Sequence, residues 1–148
     1  INEINSSLGI SQIKKVNKFI NLKKKIAKIY FEELDLPEIC LPDKNILKVS
    51  ALHLFIIKIN FKKLKIDKFY LINILKKNFI NINAHYIPLN KFSLIKKNIK
   101  NTRFINSEKY YSEAISIPMY PDLSLKKQKY FIKILKQTIN KYKKSKND

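Results

Sequence analysis

The residues of this chain that could do chemistry are few. There are two histidines, His53 and His85, one cysteine, Cys40, and one glycine, Gly9. A metal ion needs ligands at short, regular spacing, as in CxxC or HExxH. Two histidines 32 residues apart and a lone cysteine do not supply it, so no metal site is expected. Nothing around Cys40 resembles the setting of an activated thiol. A single glycine cannot build a glycine-rich phosphate cradle. The carboxylates Glu32, Glu33, Asp35 and Glu38 cluster at a helix end and read as solvated charge. His53 lies in a strand pattern, SALHLFI, and reads as a core or sheet-edge histidine.

His85 is different. It belongs to AHYIPLNKF, residues 84–92, within an uncharged run from Asn78 to Asn90 in a lysine-dense chain. Tyr86 stands beside it, and Pro88 fixes the direction in which the chain leaves. Binding residues concentrate at such turns after a strand. On the residues alone, His85 stands open between a structural turn and a functional one.

The elements that must position this turn can be read from periodicity. Apolar residues from Ile4 to Ile29 recur at mostly three- and four-residue steps, which predicts one long helix over 2–34. Gly9 is a cost inside it, and close packing against another backbone would explain its presence. Pro37 and Pro42 mark a loop. The segment 52–60 reads as a buried strand. Asp67 starts a helix to about Lys77, with Phe69, Leu71, Ile72 and Leu75 inward. FININA, 79–84, alternates as a second strand, and 85–101 is loop with one helical turn. Asn106 or Ser107 caps a short helix. ISIPMYP is a third strand, stopped by Pro118 and Pro121. Ser124 caps a last helix whose Tyr130, Phe131, Ile134, Leu135 and Ile139 form its apolar face. The expected fold is α/β (α+β): a long N-terminal helix, then a small three-stranded sheet with helices packed on one face.

The 148 residues, 45% hydrophobic, suffice for a globular core. No apolar run reaches the roughly 18 residues of a membrane helix, and no signal-peptide pattern is present. With one cysteine no internal disulfide can form, and a cytoplasmic location is expected. The first residue is Ile rather than Met, as in a fragment or a processed product. The net charge of +20 raises the alternative of a basic nucleic-acid-binding module. Against it, Arg103 is the single arginine among 31 basic residues, and the lysines are spread over the whole chain. The Tyr and Phe residues fall at core spacing rather than as a stacking platform. Abundant Lys, Ile and Asn with scarce Gly and Arg point instead to AT-rich codon usage.

Four stretches, LGISQIKKVNKFI, SALHLFIIKI, AHYIPLN and YYSEAISIPMYPDLS, occur in this order. They resemble the pieces ALGLSQL, SAWHLY, HYIPVH and AISLPMYP of the DegT/DnrJ/EryC1/StrS sugar aminotransferases. The resemblance covers residues 1 to about 140. It implies the small C-terminal domain of a fold-type I pyridoxal 5'-phosphate (PLP) transferase. Residues 1–34 would be a linking helix and 35–148 the small domain, with the large PLP-binding domain absent. It implies amino transfer, usually from glutamate, to a UDP-linked 4-keto sugar by a homodimer, with no nucleic-acid or membrane partner. The family's lysine motif, like SxHxxK, is missing, so no catalytic residue is expected in this chain, and a non-catalytic remnant is a further alternative. By the same resemblance His85 and Tyr86 line the sugar side of the pocket, Pro88 shapes the turn, and Met119 and Tyr120 lie near the same wall. Asn90 stands where a second histidine is usual and Leu52 where Trp is common. Asn78 and Phe79 replace the glycine of a KGI segment, with Asn78 the residue better suited to left-handed dihedrals.

Overall fold

A computed structural model describes residues 2–97, 99 and 104–144. Its elements run α1 (Glu3–Ile13), α2 (Val16–Glu33), β1 (Ile39–Cys40), α3 (Ile46–Val49), β2 (Phe55–Ile59), α4 (Phe61–Leu64) and α5 (Lys68–Lys77). A 3-10 turn (Leu89–Lys91), α6 (Ser93–Lys96), α7 (Ile105–Glu113), β3 (Ala114–Ile117) and α8 (Leu125–Lys144) follow. The sheet is three-stranded and antiparallel, in the order β1-β2-β3.

The core forms where the apolar stripes of the long helices meet this sheet. From α2 come Ile26, Ala27, Tyr30 and Phe31, from β2 Phe55, Ile57 and Ile59, and from α8 Phe131, Ile132, Leu135 and Ile139. The alternation of β2, buried at Phe55, Ile57 and Ile59 and exposed at Lys58, is the period of two of a strand with one covered face. All of β3 is buried. Helix α8 packs against α2, α4 and α5, and α7 lies against β2. Three side chains tie these layers by polar bonds. Buried Gln128 donates to the Ile26 carbonyl across α8 and α2 at 2.8 Å. Tyr30 Oη donates to the Pro118 carbonyl at 2.7 Å. Lys143 on α8 pairs with Glu38, next to β1, at 3.1 Å. Burial pushes the Glu38 carboxyl up, but Lys143, a backbone hydrogen bond and nearby Lys63 together bring it below its ordinary value.

Several local readings are confirmed. Asp67 caps α5 by accepting from the Phe69 and Tyr70 amides. Ser124 Oγ accepts from the Lys127 amide at the start of α8, at 3.3 Å.

Others are corrected. The long helix over 2–34 is two helices, broken at Lys14 and Lys15, where the Lys15 amide turns back to the Gln12 carbonyl. No residue of α1 is buried. A Cβ on Gly9 would meet nothing within 4 Å, so no close backbone among the described residues explains that glycine.

FININA is not a strand. Ile80 and Ile82 are buried and Asn81 and Asn83 exposed, so the alternation is real. Only Asn83 bridges to Ser116, because the chain turns away two residues later. The third strand is instead the two-residue β1, from the loop between Pro37 and Pro42. The strand of 52–60 begins at Phe55. Leu52, at φ 54°, takes the buried position, and His53 sits exposed in a bend ahead of β2, neither core nor sheet edge. Phe69 and Tyr130 face outward. Helix α7 starts at Ile105 with no side-chain cap, ahead of Asn106 and Ser107.

The left-handed residue after α5 is Phe79, at φ 60°, while Asn78 has φ −95°. A left-handed L-residue costs about 1–2 kcal/mol, and Phe79 recovers little by packing because its side chain is 97% exposed. Glycine removes the strain but adds freedom to the unfolded chain. Phe79→Gly is therefore expected to raise stability by about 0.5–1 kcal/mol. Urea unfolding checks this: the midpoint rises with an unchanged slope.

Candidate functional site

Contacts to β3 and to α7 place the turn that follows Asn83. The paired backbone bonds of Asn83 and Ser116, 2.7 and 3.3 Å, fix its base to β3. His85 Nδ1 then lies 2.7 Å from Ser116 Oγ. The His85 and Tyr86 rings meet edge to face, centroids 4.6 Å apart, across a cis peptide. Pro88 is buried, and at the far end Asn90 Nδ2 donates to Glu108 Oε1 at 3.1 Å. His85 is half-buried by these contacts, whereas Tyr86 is 77% exposed. A turn held at both ends with an aromatic ring standing into solvent can offer that ring to a ligand.

Met119 packs against the core, and Tyr120 is exposed. Tyr120 belongs to a neighbouring groove of about 580 Å3, together with Asn78, Phe79, Tyr130 and Lys127. Pro118 forms part of the same groove, two residues after Ser116, so β3 carries the histidine's partner and leads into the groove wall. Neither His85 nor Tyr86 lines that groove. Buried Tyr30 holds the Pro118 carbonyl from below, and burial, with Tyr120 adding to it, pushes the Tyr30 hydroxyl well above its ordinary pKa.

Two positioning features escaped the sequence reading. Ser116 is hidden in an apolar run, ISIP, where it looks like an outward strand position. Lys68 is 4% exposed, donates to the Tyr111 carbonyl and sits 3.8 Å from that ring's centroid. Burial pushes its amine below its ordinary pKa; Asp67 opposes this and Lys91 adds to it. Lys68 thus closes the C-terminal end of α7, the helix whose Glu108 holds Asn90. A lysine in the first turn of a helix gives no sequence sign of being buried.

These residues do not make a PLP site by themselves. The buried amine of Lys68 is already engaged, and the groove has no carboxylate to pair with a pyridinium nitrogen. Among the described residues no cluster of His, Cys, Asp and Glu could hold a metal ion. No described helix is long and apolar enough to cross a membrane.

The model of the DegT/DnrJ/EryC1/StrS aminotransferase family matches residues 1–136. The chain belongs to that family. An uncharacterized protein of Methanocaldococcus jannaschii, MJ1066, is 35% identical over 125 residues, 82% of this chain and 32% of its own length. The UDP-4-amino-4,6-dideoxy-N-acetyl-beta-L-altrosamine transaminase of Campylobacter jejuni serotype O:2 is 28% identical, over 97% of this chain and 38% of its own length. Among solved structures, Helicobacter pylori PseC, an aminotransferase involved in the biosynthesis of pseudoaminic acid, superposes with a TM-score of 0.85. It is 26% identical and covers 95% of this chain and 38% of its own. The chain thus spans about a third of the length of the relatives it matches.

Proposed function

We propose that this chain serves as the small domain of a PLP-dependent aminotransferase that passes an amino group from glutamate to a UDP-linked 4-keto-6-deoxy sugar. The His85–Tyr86 turn carries the reading: it is anchored at both ends, yet presents Tyr86 to solvent. The likeness to the Campylobacter transaminase and to PseC supports the reaction class and the nucleotide sugar. PLP, the electron sink of the reaction, is held by residues outside this sequence. The residues described here act on the substrate side. His85 hydrogen-bonds an oxygen of the sugar nucleotide, Tyr86 covers the ring, and the buried Pro88 keeps the turn in place. Closing such a wall over a sugar lowers the entropy cost of reaching the reactive geometry and excludes water.

The enzyme is proposed to work as a homodimer. The exposed Ile4, Leu8, Ile10 and Ile13, which stand on more than one side of α1, support this, since a helix apolar around its circumference is normally covered.

The test joins this chain to the amino-terminal two thirds of the Campylobacter transaminase and supplies PLP, glutamate and a UDP-4-keto-6-deoxy sugar. The proposal expects a UDP-4-amino sugar as product. A fusion that binds PLP and makes none contradicts it.

A further inference from the structure

Ser116 lies in β3, opposite Ile56 of β2, and is 7% exposed. Its amide and carbonyl are both engaged with Asn83, so its side chain starts from a fixed point. Among the described residues, His85 Nδ1, 2.7 Å away, is the hydroxyl's side-chain partner. A hydroxyl carries one hydrogen and two lone pairs, and the neutral imidazole has one N–H and one bare nitrogen. If Nδ1 carried the hydrogen, the serine would accept and its own hydrogen would be buried without a partner. An unplaced donor is rarer and costlier than an unused lone pair.

We infer that Ser116 donates to Nδ1 and thereby fixes His85 as the Nε2–H tautomer, so that His85 meets its ligand as a hydrogen-bond donor. This rests on the substrate-facing role proposed for the turn. Ser116 is a positioning residue: its hydroxyl is spent on the ring and acts on a ligand only through His85. The ligand atom opposite Nε2 is then an acceptor oxygen, whether hydroxyl, carbonyl or phosphate. Through Nε2 the neutral ring cannot take up a proton, so His85 orients and polarises the ligand but is not a base. Tyr86, packed edge to face against the imidazole, restrains its tilt as well.

The chain has only two histidines, which makes the test clean. His53→Gln, in an exposed bend, leaves His85 as the sole imidazole. The 15N-labelled chain is then followed by long-range proton–nitrogen correlation in mildly alkaline buffer, which reports the tautomer directly. The expected pattern is one protonated nitrogen, Nε2, and one bare nitrogen, Nδ1. Ser116→Ala, confirmed as folded from its amide spectrum, is expected to lose this single-tautomer pattern and give averaged nitrogen signals. Ser116→Thr keeps a hydroxyl on a strand and is expected to restore it. An Nδ1–H ring in the parent chain, or an unchanged pattern in Ser116→Ala, overturns the inference. This readout is independent of amino transfer, so failure of the fusion to aminate a sugar leaves it intact.

Discussion

Tyr30→Ala is expected to cost about 3–5 kcal/mol of folding stability, the range for deleting a buried aromatic side chain. Tyr30 is buried where three layers meet. Its ring lies 5.3 Å from that of Phe55 on β2 and 6.0 Å from that of Phe131 on α8, edge to face with the latter. Alanine would leave a cavity that neither the sheet nor α8 can collapse into without losing its other contacts. The same change frees the Pro118 carbonyl, and with it the exit from β3. Tyr30→Phe separates the two effects. It keeps the ring and removes only the hydrogen bond, with an expected cost of about 1 kcal/mol. Urea unfolding measures both, as a fall in midpoint for each variant and a much larger fall for alanine. An alanine variant within about 1 kcal/mol of the parent would mean that this is not the centre of the core.

Tyr86→Ala is expected to act in the opposite way, with little effect on folding and a large effect on turnover. The ring is mostly exposed, and its edge-to-face contact with His85 is worth about 0.5–1.5 kcal/mol. By the function proposed above, the same ring covers the sugar in the assembled aminotransferase. Its removal is expected to lower kcat/KM by about 10–100-fold, or about 1.4–2.7 kcal/mol of transition-state stabilisation. Misplacing a substrate by about 1 Å has effects of this order. His53→Gln is the control. It changes the other histidine, exposed ahead of β2, and is expected to leave kcat/KM unaltered.

The parts of this fold that were legible in the sequence are those whose cause is local. Asp67 announces α5 and Ser124 announces α8, because a capping side chain bonds amides two or three residues away. The turn at His85–Pro88 showed as an uncharged island with a proline. What was illegible depends on partners distant in the chain. Ile39–Cys40 is a strand only because β2 lies beside it, and two residues carry no period of their own. FININA has the period of a strand, but a ladder needs a neighbour along its length, and β3 offers it only Ser116. The break at Lys14 and Lys15 falls where apolar steps of three and four run on from Ile13 to Val16 to Ile20, and no residue of α1 is buried. At the site, His85 was legible as a candidate because histidine is rare here. Ser116 and Lys68 were not, since a serine in a strand and a lysine in a helix declare themselves only once the fold buries them.

The most direct test of the account follows nitrogen itself. The fusion of this chain to the amino-terminal part of the Campylobacter transaminase is given 15N-glutamate, PLP and the UDP-4-keto-6-deoxy sugar. The account predicts 15N in the amino group of the sugar nucleotide. It also predicts a rate for the Tyr86→Ala fusion at least about tenfold lower, the loss corresponding to 1.4 kcal/mol. A fusion that binds PLP but leaves the label in glutamate, or one that transfers it equally well without the Tyr86 ring, contradicts the account.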